Sequence, residues 1–329
     1  MSGVNWLGDS VMAMPAIQDY RRRNPDTVVT VAVKPYMAPL WIAHPAVRNV
    51  MLLPLGPAGP WRCGWRARSH GFRRAYVLPL SFRSALVPWV ARIPERIGMP
   101  GHGRDWLLTR VVTPPDGPER RHQAFEYYEL LGLTDVAHGE APSLPVPDAE
   151  AGKAAEALSR LWPAARDGAL VGILPGAARG PSKCWAPDRF ADVGRRLAVE
   201  RGCRILALGS MAEKDACERI AAAAGPRGAE LAGRTSLLEL AALLARCKAV
   251  IANDSGGMHL ATAVGAKVVG IFGATDPAKT GPLGTGHKIV AAEGVGAARD
   301  IAADSAVARA ALDGIGVERV LAAAFELLE

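Results

Sequence analysis

The sequence predicts an α/β protein whose parallel sheets are covered on both faces. Three observations carry that expectation. Short β-branched apolar runs alternate with amphipathic helical stretches along most of the 329 residues. The runs are apolar enough to be strands buried on both sides, which is how parallel sheets read. Two such series are separated by a proline-rich stretch with no periodicity. Length agrees, because 329 residues exceed one ordinary domain and suggest about two.

The elements follow in chain order. Asp9 to Arg23 reads as a helix, and TVVTVAVKP (Thr27 to Pro35) as a buried strand bounded by Asp26 and Pro35. VRNVMLLPL (Val47 to Leu55) and AYVLPLSF (Ala75 to Phe82) are two more strands. HQAFEYYELLGL (His122 to Leu133) is a helix ended by Gly132. GEAPSLPVPDAEAG (Gly139 to Gly152) carries three prolines and is the best linker, giving domains 1–145 and 146–329. The second series opens with the strand ALVGILPG (Ala169 to Gly176) and a helix with Pro187 in its first turn and Gly202 at its end. CRILALGS (Cys203 to Ser210) is a strand, and MAEKDACERIAAAAG a helix. SLLELAALLARC (Ser236 to Cys247) is a helix with Ser236 and Glu239 in capping-box spacing. AVIAND (Ala249 to Asp254) is a strand, GGMHLATAVG the next helix, AKVVGIFG (Ala266 to Gly273) a strand, and VERVLAAAFELL (Val317 to Leu328) the closing helix. The Ala/Gly-rich segment Ala291 to Arg309 has no assignable pattern.

Composition excludes several classes. Half the residues are apolar and 22% are charged, which is globular and not disordered. No uncharged apolar stretch reaches about 18 residues, so no transmembrane helix is expected. The opening MSGVNWLGDSVMAM has no basic region before its apolar residues, so no secretory signal is expected. Five widely spaced cysteines form no CxxC or His/Cys cluster, which points away from zinc or a disulfide scaffold and toward a cytoplasmic setting. The net charge of +7 is uneven: from Trp61 to Phe125, twelve arginines and no lysine stand against four acidic residues. Such a segment suits phosphate, carboxylate or an anionic membrane, and equally fits an arginine-rich genome. No nucleic-acid partner is expected, because aromatic residues do not interleave with the basic ones as a stacking platform requires.

Three places can carry chemistry. In AVIANDSGGMHLATAVG a strand ends at Asn253 and Asp254, and Ser255, Gly256 and Gly257 turn into a helix with His259 one turn in. A helix start exposes unpaired N–H groups and partial positive charge, so it suits a phosphate; a plain capped helix fits the same pattern. In LPGAARGPSKCWAPDRF a strand runs into a glycine-containing loop bearing Arg179 and Lys183, suited to a diphosphate or to solvent. It is not a Walker loop, because GxxxxGK[ST] is absent. In NWLGDSVMAMPA, Asp9 is placed either to cap a helix or to act as a general base.

These blocks, with AYVLPLSFRSALVPWVARIPERIG, LALGSMAEKDA, LAGRTSLLELAALLARCKAV and IFGATDPAKTGPLG, occur in an order that resembles the ADP-heptose:lipopolysaccharide heptosyltransferases. The resemblance runs from about Asn5 to about Leu283 and includes the last helix; the AYVLPLSFRSALVP block favours the heptosyltransferase II branch. It implies a GT-B glycosyltransferase, two Rossmann-like domains facing across a cleft, the first receiving the acceptor and the second ADP-heptose. It implies inverting transfer of heptose, with no metal and no cofactor, to the first heptose of the lipopolysaccharide inner core. The enzyme would work at the inner face of the anionic inner membrane. Asp9 matches the family's catalytic base. Lys183, Glu213, Thr235, Asp254, Ser255, Gly256, Gly257 and His259 match its donor site, with Glu213 on the ribose hydroxyls and Thr235 at the adenine pocket. Ser81, Arg83 and Ser84 fall in the acceptor loop. Other readings are a heptosyltransferase acting on Kdo or an outer-core sugar, or a catalytically weak sugar-nucleotide binder. An epimerase of the same fold would need acidic pairs that this chain lacks.

Two departures from the family pattern stand out. Relatives begin with a strand before the WLGD segment, so a missing central strand, or about ten further N-terminal residues, is expected here. Many relatives also carry a cysteine-rich segment where this chain has Ala291 to Arg309.

Overall fold

The computed structural model describes residues 1–113, 122–135, 140–163, 167–178, 180–293 and 305–329. Arg179 and most of the unassigned segment Ala291 to Arg309 lie outside them. The chain divides into two compact units, Met1–Glu140 and Ala141–Glu329, a little ahead of the expected boundary at 145.

The first unit runs α1 (Leu7–Arg23), β1 (Thr30–Val33), α2 (Ala38–Ala43), β2 (Asn49–Leu52), α3 (Gly59–Ala67), β3 (Arg74–Val77), α4 (Phe82–Val90), β4 (Glu95–Gly98), β5 (Arg110–Val111) and α5 (Ala124–Leu130). Its strands pair in parallel as β1-β2 and β3-β4-β5. The central position, expected to lack its strand, holds only residues 1–3, joined to both neighbours by isolated bridges. Ser2 bridges Ala32 on one side and Val77 on the other. The Ser2 N–H donates to Tyr76 O at 2.8 Å, and the Gly3 N–H donates to Ala32 O at 2.9 Å. Residues 1–3 therefore lie between β1 and β3 and satisfy backbone groups of both. Beside Met1, toward the amino ends of the same strands, a cavity of about 650 Å³ is lined by Tyr20, Thr30, Asn49, Ala75 and Tyr76 among others. It holds none of the expected site residues; those of this unit, Asp9, Ser81, Arg83 and Ser84, lie toward the carboxyl ends, where α/β sheets bind ligands.

The expected strand Ala75 to Phe82 is also shorter than the sequence suggests. It ends at Val77, and Ser81 caps α4 by accepting the Ser84 N–H. Pro79 lacks an N–H and cannot extend the ladder, so the apolar run continues as loop and helix. Helices α3 and α4 were not expected, since Pro88 and exposed aromatics blur their period.

The second unit runs α6 (Asp148–Leu161), β6 (Leu170–Leu174), α7 (Pro187–Glu200), β7 (Arg204–Ala207), α8 (Lys214–Ala223), β8 (Gly228–Glu230), α9 (Leu237–Leu244), β9 (Ala249–Asn253), α10 (Gly256–Ala263), β10 (Lys267–Phe272), α11 (Pro277–Thr280), β11 (Lys288–Ala291), α12 (Ala306–Asp313) and α13 (Val317–Leu328). All six strands are parallel, in the order β11-β10-β9-β6-β7-β8. Every residue of β6 and β9 is buried, as their unbroken apolar sequence requires. Val171, Ile173, Ile205 and Ile251 pack with Phe190, Val193 and Leu197 of α7 and with Val320 and Leu321 of α13. The capping box of Ser236 and Glu239 forms at the start of α9.

Candidate active site

The adjacent strands β9, β6, β7 and β8 of the second unit run parallel and end at one side of the sheet, so the loops that follow them are neighbours. Lys183 ends a short 3-10 turn (Pro181–Lys183) after β6, and Asp254 follows β9 directly. Their side chains meet with Lys183 Nζ 2.6 Å from Asp254 Oδ2, at 11% and 8% exposure. Each charge has thus lost most of its water and is compensated by the other. Burial pushes the Cys184 thiol above the ordinary range, and the charge of Glu213 adds to that.

Asn253 fixes this geometry, and sequence reasoning passed it over. It is fully buried. Its Nδ2 donates to Pro175 O at 2.6 Å, and its Oδ1 accepts the Trp185 N–H at 3.0 Å. The amide therefore pins both ends of the loop that carries Lys183. The detectable signal was a polar residue closing an otherwise apolar strand. Trp185 is itself anchored, its indole N–H donating to Ile315 O at 3.0 Å.

The start of α10 lies beside this pair. Ser255 is the N-cap and accepts the Met258 N–H. The first N–H groups of a helix have no partner inside it, and the dipole adds positive charge there. A side chain at Gly257 would meet Leu174 Cδ1 at 2.9 Å, so the helix start sits tight on the end of β6. His259 is buried at 3% exposure beneath that start.

Glu213 closes the neighbouring loop after β7. Its Oε2 accepts the Ser210 N–H at 2.6 Å, forming a second capping box besides that of Ser236 and Glu239. A Cβ at Gly176 would lie 2.6 Å from Glu213 Oε1, so only glycine lets the carboxylate rest against the loop after β6. Thr235 is half-buried on the loop after β8. That loop touches its neighbour where the Gly233 N–H donates to Gly209 O at 2.9 Å. The structure thus brings Lys183, Glu213, Asp254, Ser255, Gly256 and Gly257 to one edge, with Thr235 and His259 adjoining.

In the first unit, Asp9 is the third residue of α1, whose N-cap is Trp6 with no side-chain cap. The N-cap alternative for Asp9 is thereby corrected. Its carboxylate is half-buried in the first helical turn, and Oδ1 accepts from Gln123 Nε2 at 3.2 Å. Ser81, Arg83 and Ser84 follow β3. Arg83 is exposed, with Nη2 donating to Gly56 O at 2.6 Å. Ser84 is buried, and its hydroxyl donates to Ser81 O at 2.6 Å, with Pro79 O 3.1 Å away. Beneath it the fully buried Arg104 donates to Met99 O and Pro79 O. Arg104 was not foreseen, because a buried arginine looks like any other in an arginine-rich segment. Ser84 and Arg104 are therefore braces of the loop, and Ser81 and Arg83 are its accessible polar residues.

Among the described residues, no group of three His, Cys, Asp or Glu side chains is arranged to hold a metal ion. No helix among them is long and apolar enough to cross a membrane.

Comparison with known proteins gives a consistent answer. The model of glycosyltransferase family 9 (heptosyltransferase) matches residues 61–307. Lipopolysaccharide heptosyltransferase 2 of Escherichia coli K12 is 30% identical over 302 residues, covering 88% of this chain and 86% of that protein. Lipooligosaccharide heptosyltransferase 2 of Haemophilus influenzae is 30% identical over 294 residues, covering 85% and 84%. The solved structure of E. coli ADP-heptose LPS heptosyltransferase II superposes with a TM-score of 0.83 at 29% identity, covering 99% of this chain and 97% of that one. Its α/β fold class, GT-B, is the class of this chain.

Proposed function

Because the chain belongs to glycosyltransferase family 9, the heptosyltransferase family, we propose that it transfers heptose from ADP-L-glycero-D-manno-heptose to the first heptose of the lipopolysaccharide inner core. Transfer would invert the anomeric centre and need no metal. The observation that carries this reading is the meeting of Lys183, Asp254, Glu213 and the α10 start at one sheet edge. That edge offers a cation and helix-end N–H groups to a diphosphate, and a carboxylate to sugar hydroxyls.

The chemistry follows from these groups. Asp9 takes the proton of the acceptor hydroxyl as that oxygen bonds to the anomeric carbon. The bond from the anomeric carbon to the diphosphate oxygen breaks, and its electron pair leaves with ADP. Negative charge gathering on the ADP is stabilised by the α10 start and by Lys183, which exchanges part of its contact with Asp254 for phosphate oxygens. Glu213 accepts from the ribose hydroxyls, and Thr235 lines the adenine side. His259 braces the helix start from beneath. Ser81 and Arg83 hold the phosphorylated acceptor, with Ser84 shaping their loop. The acceptor is lipid-anchored, so the enzyme works from the cytoplasm, at the face of the anionic inner membrane.

The test is direct. The protein is incubated with ADP-heptose and, separately, with Kdo–lipid A or heptosyl-Kdo–lipid A, and the products are weighed by mass spectrometry. A gain of one heptose on the heptosyl acceptor alone is expected. A gain on Kdo–lipid A alone would assign the acceptor to Kdo, and no gain on either would leave a sugar-nucleotide binder.

A further inference from the structure

The first unit carries an aromatic surface that the transfer chemistry does not use. Trp61 on α3, Trp89 on α4, Trp106 on the turn Asp105–Leu107 and Phe82 at the start of α4 form a continuous ladder. The ring centroids are 6.3 Å apart for Trp61–Trp89, 5.9 Å for Trp89–Trp106 and 6.1 Å for Phe82–Trp106. All four rings are exposed, Trp106 by 64%. Trp65, one turn from Trp61 on α3, is 62% exposed. Helices α3 and α4 pack closely, because Gly64 lets α3 approach Val87 and Val90. The ladder therefore stands on a rigid pair of helices. Large aromatics gathered at a surface mark an interaction site, whereas scattered ones do not.

The charges on the same helices say what the surface fits. Arg62 and Arg66 on α3, and Arg83 and Arg92 at the two ends of α4, are exposed. Arg62, Arg66 and Arg92 have no ion-pair partner among the described residues. Arg68 lies over the Trp65 ring at 3.9 Å. The acidic residues described nearby are engaged: Glu95 pairs with Arg74, and Asp105 accepts the Gly101 N–H. A face of indoles and guanidinium groups, in which arginines outnumber the carboxylates, complements a layer of phosphates above hydrocarbon. Tryptophan prefers that interface, and arginine can lay its stem on apolar surface while its head stays wet. A second copy of this chain is a poor fit, because it would set arginines against arginines.

We propose that the face formed by Trp61, Trp89, Trp106 and Phe82 with the arginines of α3 and α4 docks on the surface of an anionic lipid bilayer. This deepens the reading of the acceptor as a lipid-anchored glycolipid and rests on it in one respect. Phe82 stands between Ser81 and Arg83, so the docked face begins at the acceptor loop.

The test uses the full chain and two kinds of vesicle, phosphatidylcholine alone and phosphatidylcholine mixed with phosphatidylglycerol, in a sedimentation assay. Partition into the anionic vesicles is expected, with at most weak partition into the neutral ones. Each arginine near the surface should count for about fivefold in binding. Trp61→Ser/Trp106→Ser and, separately, Arg62→Gln/Arg66→Gln should each lower partition about tenfold or more. ADP affinity, which involves only the second unit, should stay as in the wild type. Brominated lipids should quench wild-type tryptophan fluorescence and quench the double tryptophan variant less. Equal partition into neutral vesicles, no partition at all, or unchanged partition of both variants would overturn the proposal. So would a dimer in sedimentation velocity that the tryptophan substitutions abolish, since the ladder would then seat a second copy. Vesicle binding needs neither donor nor acceptor sugar, so its failure and a failure of heptosyl transfer are read separately.

Discussion

Lys183 and Asp254 are both nearly out of water, so neither charge can be removed alone without consequence. Lys183→Met leaves a buried carboxylate unpaired and should lower stability by about 3–5 kcal/mol. Adding Asp254→Asn should return most of that stability while ADP affinity stays at least about tenfold weak, because the cation proposed to face the phosphates is still missing. Urea denaturation and calorimetric ADP titration of the single and double variants check both parts. Recovered ADP affinity in the double variant would remove Lys183 from the donor site. At Asp9 the expectation is a separation of binding from chemistry. Asp9→Asn should keep ADP affinity and lose about 10²–10⁴-fold in turnover, the usual worth of a general base. Turnover near wild type would assign the proton to another group. Arg83→Ala should raise the acceptor KM about tenfold or more with little change in donor KM, since a charged hydrogen bond is lost on one substrate only; an unchanged acceptor KM would return Arg83 to a surface charge. Lys183 and Asp254 could be singled out as candidates because they follow strands, in or beside glycine-containing turns. Asn253 and Arg104 could not, because their roles depend on carbonyls of Pro175, Pro79 and Met99 that only folding brings within reach.

At the scale of elements, α1 and α2 meet around a histidine held neutral. His44, at the end of α2, is 1% exposed, with Nε2 facing Gln18 Oε1 at 3.4 Å and its ring tilted against Trp41 at 5.5 Å. Burial lowers its pKa from 6.5 to about 4. Below pH 6.5 the unfolded chain binds a proton at this site that the folded chain refuses until about pH 4. Its contribution is thus fully present above pH 6.5 and is lost as the pH falls toward 4, up to about 3 kcal/mol. Urea unfolding of the wild type should lose that much more stability between pH 6.5 and 4 than His44→Gln does; parallel curves would show that His44 is not the titrating group. The buried strands β1, β6, β7, β9 and β10 were readable because their apolar runs are short and bounded by turn residues. The start of α4 was not, because VLPLSF has strand composition on both sides of a proline, and the Ser81 cap decides where the helix begins. Strand β8 escaped notice because Gly228–Glu230 is only partly buried and has no apolar run to announce it.

For the whole molecule, the groups proposed to face the phosphates are a lysine and a helix start and not a set of carboxylates, so transfer should survive exhaustive EDTA treatment; activity that requires added magnesium would contradict a metal-free reaction. The sequence by itself determined the α/β class, its division into two series of strands and helices, and which polar residues stand in the loops that follow the strands of the second series. It could do so because periodicity, turn residues and capping signals are local, and because its blocks match a family over most of the chain. Only the tertiary structure decided that residues 1–3 pair with β1 and β3, that Ser84 is a brace and not an open ligand group, that Lys183 rests on Asp254, and that four aromatic rings far apart in sequence line up on one face. Each of these depends on which backbone carbonyls, charges and rings become neighbours once the strands are set in parallel order. That neighbourhood is fixed by burial across the sheet, and no window of sequence contains it.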